Sequence, residues 1–278
     1  MEIQRPGSVG RTQNSSVQGL ERTNRALQKI LERLSNAQRI NRAGDDAGGV
    51  SIAEQMRTQV RGFRMAAQNV SDAISALNIG QGASNEITEL LQRNRELAIQ
   101  ARNDTLSDDQ RRQLDVEFQQ NLAEIDRITG AAQFNGQNLI NGTGLGAGNA
   151  LIQAGPNEAE TIQLPKINLG VDPLGLTGAT IATGAGASAA ISSIDNALDT
   201  LNTARSTMGA TVNRLESALR NMSVAETNSL SAESLLRDQD MAAGVVDLTR
   251  ERLLQESGVY AFKRFNEISA NHIISLLQ

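Results

Sequence analysis

The adjacent carboxylates Asp45 and Asp46 are the first residues here whose type and spacing could do chemistry, as a metal-binding or acid/base pair. Neighbouring residues on a bending helix point in different directions, so capping and polar contacts at a bend suit them better. His272 is the single histidine. With no cysteine and no second histidine it lacks the companions of an ordinary zinc site, and a surface or interface place is expected for it. The glycines between 142 and 148 are followed by neither the lysine nor the helix that a phosphate-cradling loop requires. No nucleophile–base pair is evident. These residues predict a protein that is not an enzyme, with no catalytic residue, cofactor or metal.

The elements around them are more informative. Ile191, Ile194, Leu198, Leu201, Met208, Val212, Leu215, Leu219 and Met222 alternate in steps of three and four, interrupted only at Arg205. Such a seam predicts a helix roughly 45 Å long at about 1.5 Å per residue. Met56, Val60, Phe63, Ala67, Val70, Ile74 and Leu77 keep the same rhythm in the first half of the chain. A narrow apolar stripe needs a partner to exclude water, and each track is the obvious partner of the other. Composition agrees: of 278 residues none is Trp, one is Tyr and five are Phe, whereas coiled-coil cores use Leu, Ile, Val, Met and Ala. Net charge is −5 with both signs interspersed, which excludes the basic stripe that nucleic acid demands. Val259 to Gln278, the most apolar stretch near the end, contains Lys263, Arg264 and Glu267 and is not expected to span a membrane. The first residues hold no apolar core of signal-peptide length, so the expectation is a cytoplasmic chain or one exported without a cleaved signal.

Along the chain, a loose opening with Pro6, Gly7 and Gly10 precedes an amphipathic pattern from about Ser15 to Ile40. Gly44 and Gly48-Gly49 suggest a bend before a long helix from about Val50 to Asn103, with a phase shift expected near Gly80 and Gly82. Ser107 and Gln110 form a capping box for a third helix with Leu114, Phe118, Leu122, Ile125 and Ile128 on one face. Asn135-Gly136 and Asn141-Gly142 are turn dipeptides. The runs 150–153 and 161–164 around Gly155-Pro156-Asn157 predict a β-hairpin. Residues 170–187 read as an extended linker or tip. Helical patterns resume from about Ala189 to Leu236 and from Met241 onward.

Several strings resemble bacterial flagellin in that family's order. Glu32-Arg33-Leu34-Ser35, Arg39-Ile40-Asn41 and Asp45-Asp46-Ala47-Gly48-Gly49 are similar to its N-terminal signature. The helical string Leu91 to Gln100, then Glu124 to Ile128 and Gln133-Phe134-Asn135-Gly136, resemble its central segments. Arg237-Asp238-Gln239-Asp240-Met241-Ala242 and Ser275-Leu276-Leu277 complete the C-terminal half. The chain departs from the family where its opening carries Pro6-Gly7, where variable outer domains are missing, and after Gly258, where it reads VYAFKRFNEISANHII. The HExxH string of a zinc protease is absent.

The resemblance implies a mainly α protein: a long antiparallel helical coiled-coil rod with a small β-hairpin region, plus paired terminal helices. It implies an N-terminal filament-core helix (1–44), a rod (45–188 and 189–237) and a C-terminal filament-core helix (238–278). The function it implies is a structural subunit of the extracellular flagellar filament, secreted unfolded through the flagellar type III route. A hook–filament junction protein and a soluble coiled-coil adaptor are the alternatives. Implied partners are further copies of itself and other flagellins, an export chaperone on the C-terminal segment, cap and hook-junction proteins, and Toll-like receptor 5. Neither nucleic acid nor membrane is among them. Arg93, Leu97 and Glu117 would form the receptor and subunit-contact face. Leu20, Leu27, Leu34, Tyr260, Phe262, Phe265 and Ile268 would build the filament core. Phe262 and Phe265 share a face with Leu254, Ala261 and Ile268 while Tyr260 lies to one side, and the three rings are expected to pack against the Val17, Leu20, Leu27 and Leu34 face and against neighbouring subunits.

Overall fold

A computed structural model describes the backbone of residues 6–276 and the side-chain surroundings of residues 14–268. Five long helices run in chain order: α1 (Pro6–Asn36), α2 (Ala47–Ala101), α3 (Asp108–Ala131), α4 (Gly184–Arg237) and α5 (Met241–Leu276). Between α3 and α4 lie two antiparallel hairpins, β1 (Gln133–Phe134) with β2 (Gln137–Asn138), and β3 (Leu151–Gln153) with β4 (Thr161–Gln163). Contacts divide the chain into two compact units. One combines residues 1–57 with 229–278, and the other holds residues 58–228.

In the larger unit, α2 and α4 pair antiparallel, clasped at one end by Arg64 and Glu226 (2.6 Å) and at the other by Arg95 and Asp195 (2.7 Å). Both heptad tracks face inward: Val60, Val70 and Leu77 on α2, and Ile194, Leu201, Met208, Leu215 and Met222 on α4, are buried. The expected phase shift at Gly80 does not occur. The stripe continues through Gly80, Ser84, Ile87, Leu91, Asn94, Ala98 and Ala101 in the same steps of three and four, all buried. Gly80 holds a seam position against Met208 and Ile140, where a methyl would make ordinary contacts of 3.5 Å and 3.4 Å. Ser84 satisfies its hydroxyl on the Gly80 carbonyl at 2.7 Å, so a polar residue fits the seam.

Helix α3 begins at the predicted capping box, where Ser107 and Gln110 each bond the other's backbone N–H. It buries Phe118, Leu122 and Ile125 in the same apolar cluster as Leu91 and Leu97. The β1–β2 turn puts Asn135 and Gly136 at φ 51° and 75°, the left-handed pair that an Asn-Gly hairpin requires. The β3–β4 loop lays Pro156 on α2 at Gly62, where any Cβ would stand 2.6 Å from the proline ring.

Residues 170–187 are not the extended linker expected. Val171, Leu174, Leu176 and Ile181 are buried. Helix α3 anchors the segment: Asp126 Oδ1 accepts the Val171 N–H at 2.9 Å, and Asp115 Oδ1 accepts that of Ile181 at 2.7 Å. Two carboxylates thus satisfy loop amides that burial would otherwise leave unpaired.

The smaller unit departs from expectation at its start. Helix α1 begins at Pro6, not near Ser15, because proline at the first helical position gives up only an N–H that lacks a partner anyway. It ends at Asn36, four residues before Ile40, with Ala37 in the left-handed region at φ 53°.

Candidate assembly interface

The Asp45–Asp46 pair holds a bend. Asp46 Oδ1 accepts the Gly49 N–H at 2.9 Å and so caps the first turn of α2. Asp45 contacts Lys29 Nζ at 2.6 Å and accepts the Asn41 and Arg42 N–H groups at 3.3 Å each. The Lys29 hydrogen bond is the main reason its carboxyl falls to about 2; the two amides add to it against partial desolvation. The pair's two carboxylates serve different backbone turns. Among the described residues no cluster of three or more His, Asp or Glu could hold a metal ion. The His272 side chain lies outside the described residues.

The face containing Arg93 is ordered by charge. Its Nε meets Glu117 Oε1 at 2.9 Å across the gap to α3, and its Nη1 meets Glu96 at 3.1 Å. Glu117 above all, then Glu96, raises the Arg93 guanidinium pKa further. Leu97 departs from the expectation for this patch. It is 1% exposed and lies in the apolar cluster that holds Phe118, turned inward with Ala101 as the helical period alone places it. Arg93 and Glu117 remain half-exposed at the surface.

In the smaller unit, α1 and α5 run antiparallel. Leu34 lies against Gly244, Leu20 against Gly258, and Gln255 Nε2 donates to Asn24 Oδ1 at 2.7 Å between them. On α1 Ser16, Leu20, Thr23, Leu27, Ile30 and Leu34 are half-buried along one side, and the three leucines lie on it. On α5 Gly244 is buried, and Leu248, Glu251, Gln255, Gly258, Phe262 and Phe265 are half-buried on the same side. Both sets step by three and four, the spacing of a paired helix seam.

The α5 seam is therefore largely small or polar, and its apolar residues are displaced to the outside. Val246 is 67% exposed, Leu253 61%, Tyr260 65% and Ile268 66%. Tyr260, Ile268, Leu254, Ala261 and Val17 thus do not join the predicted α1–α5 face, because the seam passes through Gly258 and Phe262 instead. Arg264 stands over the Tyr260 ring at 6.0 Å. Val245, Val246, Leu253 and Leu254 line a shallow apolar concavity on the outward side. An apolar row on the side of a helix turned away from its only paired neighbour is a surface that a further partner can cover, and α1 covers the other side. Val245, Val246 and Leu253 carry no periodic signal of this surface, because part of the α5 seam is polar.

Long paired helices with a row of exposed apolar side chains on the outward side of α5 are the features of a subunit that associates through helical faces. The bacterial flagellin N-terminal helical region matches residues 11–144, and the flagellin C-terminal helical region matches 191–277. A flagellar filament 31.3 kDa core protein of Treponema maltophilum is 38% identical over 269 residues, covering 92% of this chain and 94% of its own. A flagellin of Bacillus subtilis is 32% identical over 290 residues, with 93% and 95% covered. The crystal structure of Bacillus cereus flagellin is 34% identical with a TM-score of 0.50, covering 56% of this chain and 88% of that one. A putative flagellar hook-associated protein of Vibrio parahaemolyticus, 14% identical with a TM-score of 0.56 over 69% of this chain and 99% of that one, shares the fold. The chain belongs to the flagellin family, and it is a structural subunit of a flagellar filament.

Proposed function

We propose that this subunit completes its fold only in the filament, with the outward side of α5 buried against neighbouring copies. The observation that carries this reading is the outward side of α5: Gly244, Glu251, Gln255 and Gly258 make four of the seven seam positions toward α1 small or polar, while Val246, Leu253, Tyr260 and Ile268 face solvent. Ordering the terminal segments costs about 1–2 kcal/mol per residue, which a seam built on Gly244, Gln255 and Gly258 offsets poorly in a lone chain. Weakly held termini suit passage in unfolded form through the flagellar export route, and a chain without cysteine forms no disulfide on the way. The same uncovered helix is a natural place for an export chaperone before assembly, and cap and hook-junction proteins would meet it at the filament ends. The extracellular filament is then where the protein resides.

Substituting Val246→Ser and Leu253→Ser together tests the interface. Each removes roughly 1.5 kcal/mol or more of apolar burial, so the critical concentration for filament growth should rise on the order of a hundredfold. Helix content and the thermal melt of the monomer should stay unchanged, since both side chains are exposed there. Unaltered growth would mean that this side of α5 faces solvent in the filament.

By the same family analogy, we propose that Arg93 and Glu117 present the patch read by Toll-like receptor 5, with Leu97 supporting it from the core. Arg93→Ala should weaken receptor activation while leaving the melt nearly unmoved, because an exposed ion pair contributes little to stability. Leu97→Ala should lower the melt instead. Full activation by the Arg93→Ala protein would remove the patch from the account.

A further inference from the structure

Arg205 interrupts the α4 seam between Leu201 and Met208, and its place in the charge pattern is unusual. Along the larger unit the pairs that join α2 to α4 draw the base from α2 and the acid from α4, as at Arg64–Glu226 and Arg95–Asp195. Three heptads onward from the first pair, or ten residues back from the second, the same antiparallel register brings Asn85 opposite Arg205. Here the base is on α4 and the residue facing it is neutral. Among the described residues no carboxylate pairs with Arg205, and no side-chain hydrogen bond satisfies it. Arg102 and Arg214 are also unpaired, but both are exposed and water solvates them; Arg205 is half-buried. It lines an open polar groove with Gln81, Asn85, Asn202 and Ser206. These four side chains can hydrogen-bond a bound oxyanion but bring no charge of their own.

We infer that this groove is a subunit contact in which Arg205 receives a carboxylate from a second copy of this chain. A guanidinium that lines a polar groove and meets no carboxylate gains a charge-assisted hydrogen bond once a carboxylate fills that groove. A second copy is the occupant because the protein polymerises and its surface is acid-rich, with 31 acidic against 26 basic side chains. The contact rests on the filament reading but not on the terminal helices.

The test compares wild type, Arg205→Met and Arg205→Lys. Arg205→Met keeps the stem length and discards the charge. Its monomer should melt no lower than wild type, while its critical concentration for filament growth rises about tenfold, the range expected for losing a partly buried ion pair. Arg205→Lys should restore much of the loss. Wild-type growth should also weaken in high salt, and Arg205→Met growth should respond less. Equal critical concentrations and equal salt responses for wild type and Arg205→Met would overturn the contact. So would inorganic phosphate binding to wild-type monomer, absent in Arg205→Met, with assembly unaffected, since the groove would then serve a small anion. Failure of the wild-type protein to polymerise at all would instead count against the filament reading.

Discussion

Replacing Leu215 by alanine should destabilise the larger unit by about 2–5 kcal/mol, the range for removing a fully buried leucine from a packed core. Leu215 is fully buried at the middle of the α4 seam, in one cluster with Val70, Ala73 and Leu77 of α2. Two long helices meet along a single stripe, so each seam residue closes a whole layer and its neighbours have little freedom to collapse into the gap. Leu215→Asp should be worse, because the carboxylate would be buried with no cation beside it. Thermal unfolding followed by circular dichroism reads both. The alanine variant should melt well below wild type, and the aspartate variant should be largely unfolded at ambient temperature. A melt unmoved by either change would mean that this stripe faces solvent and that α2 and α4 pair on other faces.

Deleting residues 258–278 should abolish filament growth while leaving a soluble helical monomer. The larger unit, residues 58–228, carries its own apolar core and loses nothing. The smaller unit keeps the Leu34–Gly244 and Asn24–Gln255 contacts but loses the pairing beyond Leu20 and Gly258. It also loses Phe262 and Phe265 from the seam, and Tyr260 and Ile268 from the outer face. Far-ultraviolet circular dichroism should show a largely helical chain, and sedimentation should find it in the supernatant under conditions where wild type pellets. Polymerisation of the truncated chain would show that the terminal helices are not the assembly element.

Much of this architecture was legible because coiled-coil seams advertise themselves where they are apolar. The α4 track and the first part of the α2 track follow from Leu, Ile, Val and Met spacing alone. Legibility failed where the inward residue was small or polar. Gly80, Ser84 and Asn94 continue the α2 stripe, yet no hydrophobicity pattern marks them, so an unbroken seam read as a phase shift. The α5 seam shows the same effect more strongly. Gly244, Glu251, Gln255 and Gly258 face α1 together with Phe262 and Phe265, whereas Leu254, Tyr260, Ala261 and Ile268 face outward, which only the positions of the paired backbones disclose. Residues 170–187 read as a linker because Leu174, Leu176 and Ile181 follow neither helical nor strand spacing. Their burial depends on Asp115 and Asp126, more than forty positions earlier on α3. Around Arg93, Glu117 was expected only to lie nearby and the structure adds an ion pair, whereas Leu97 follows its helical period into the core and not the receptor patch that family resemblance implied.

The central claim is that this chain is a filament subunit whose outward terminal helix is buried by copies of itself. Electron microscopy of the purified full-length protein, seeded with short filament fragments, tests it most directly. The account predicts long continuous filaments that elongate from the seeds, with the monomer depleted to a fixed critical concentration. Short closed rings, or discrete small oligomers whose size is unaffected by seeding, would contradict it.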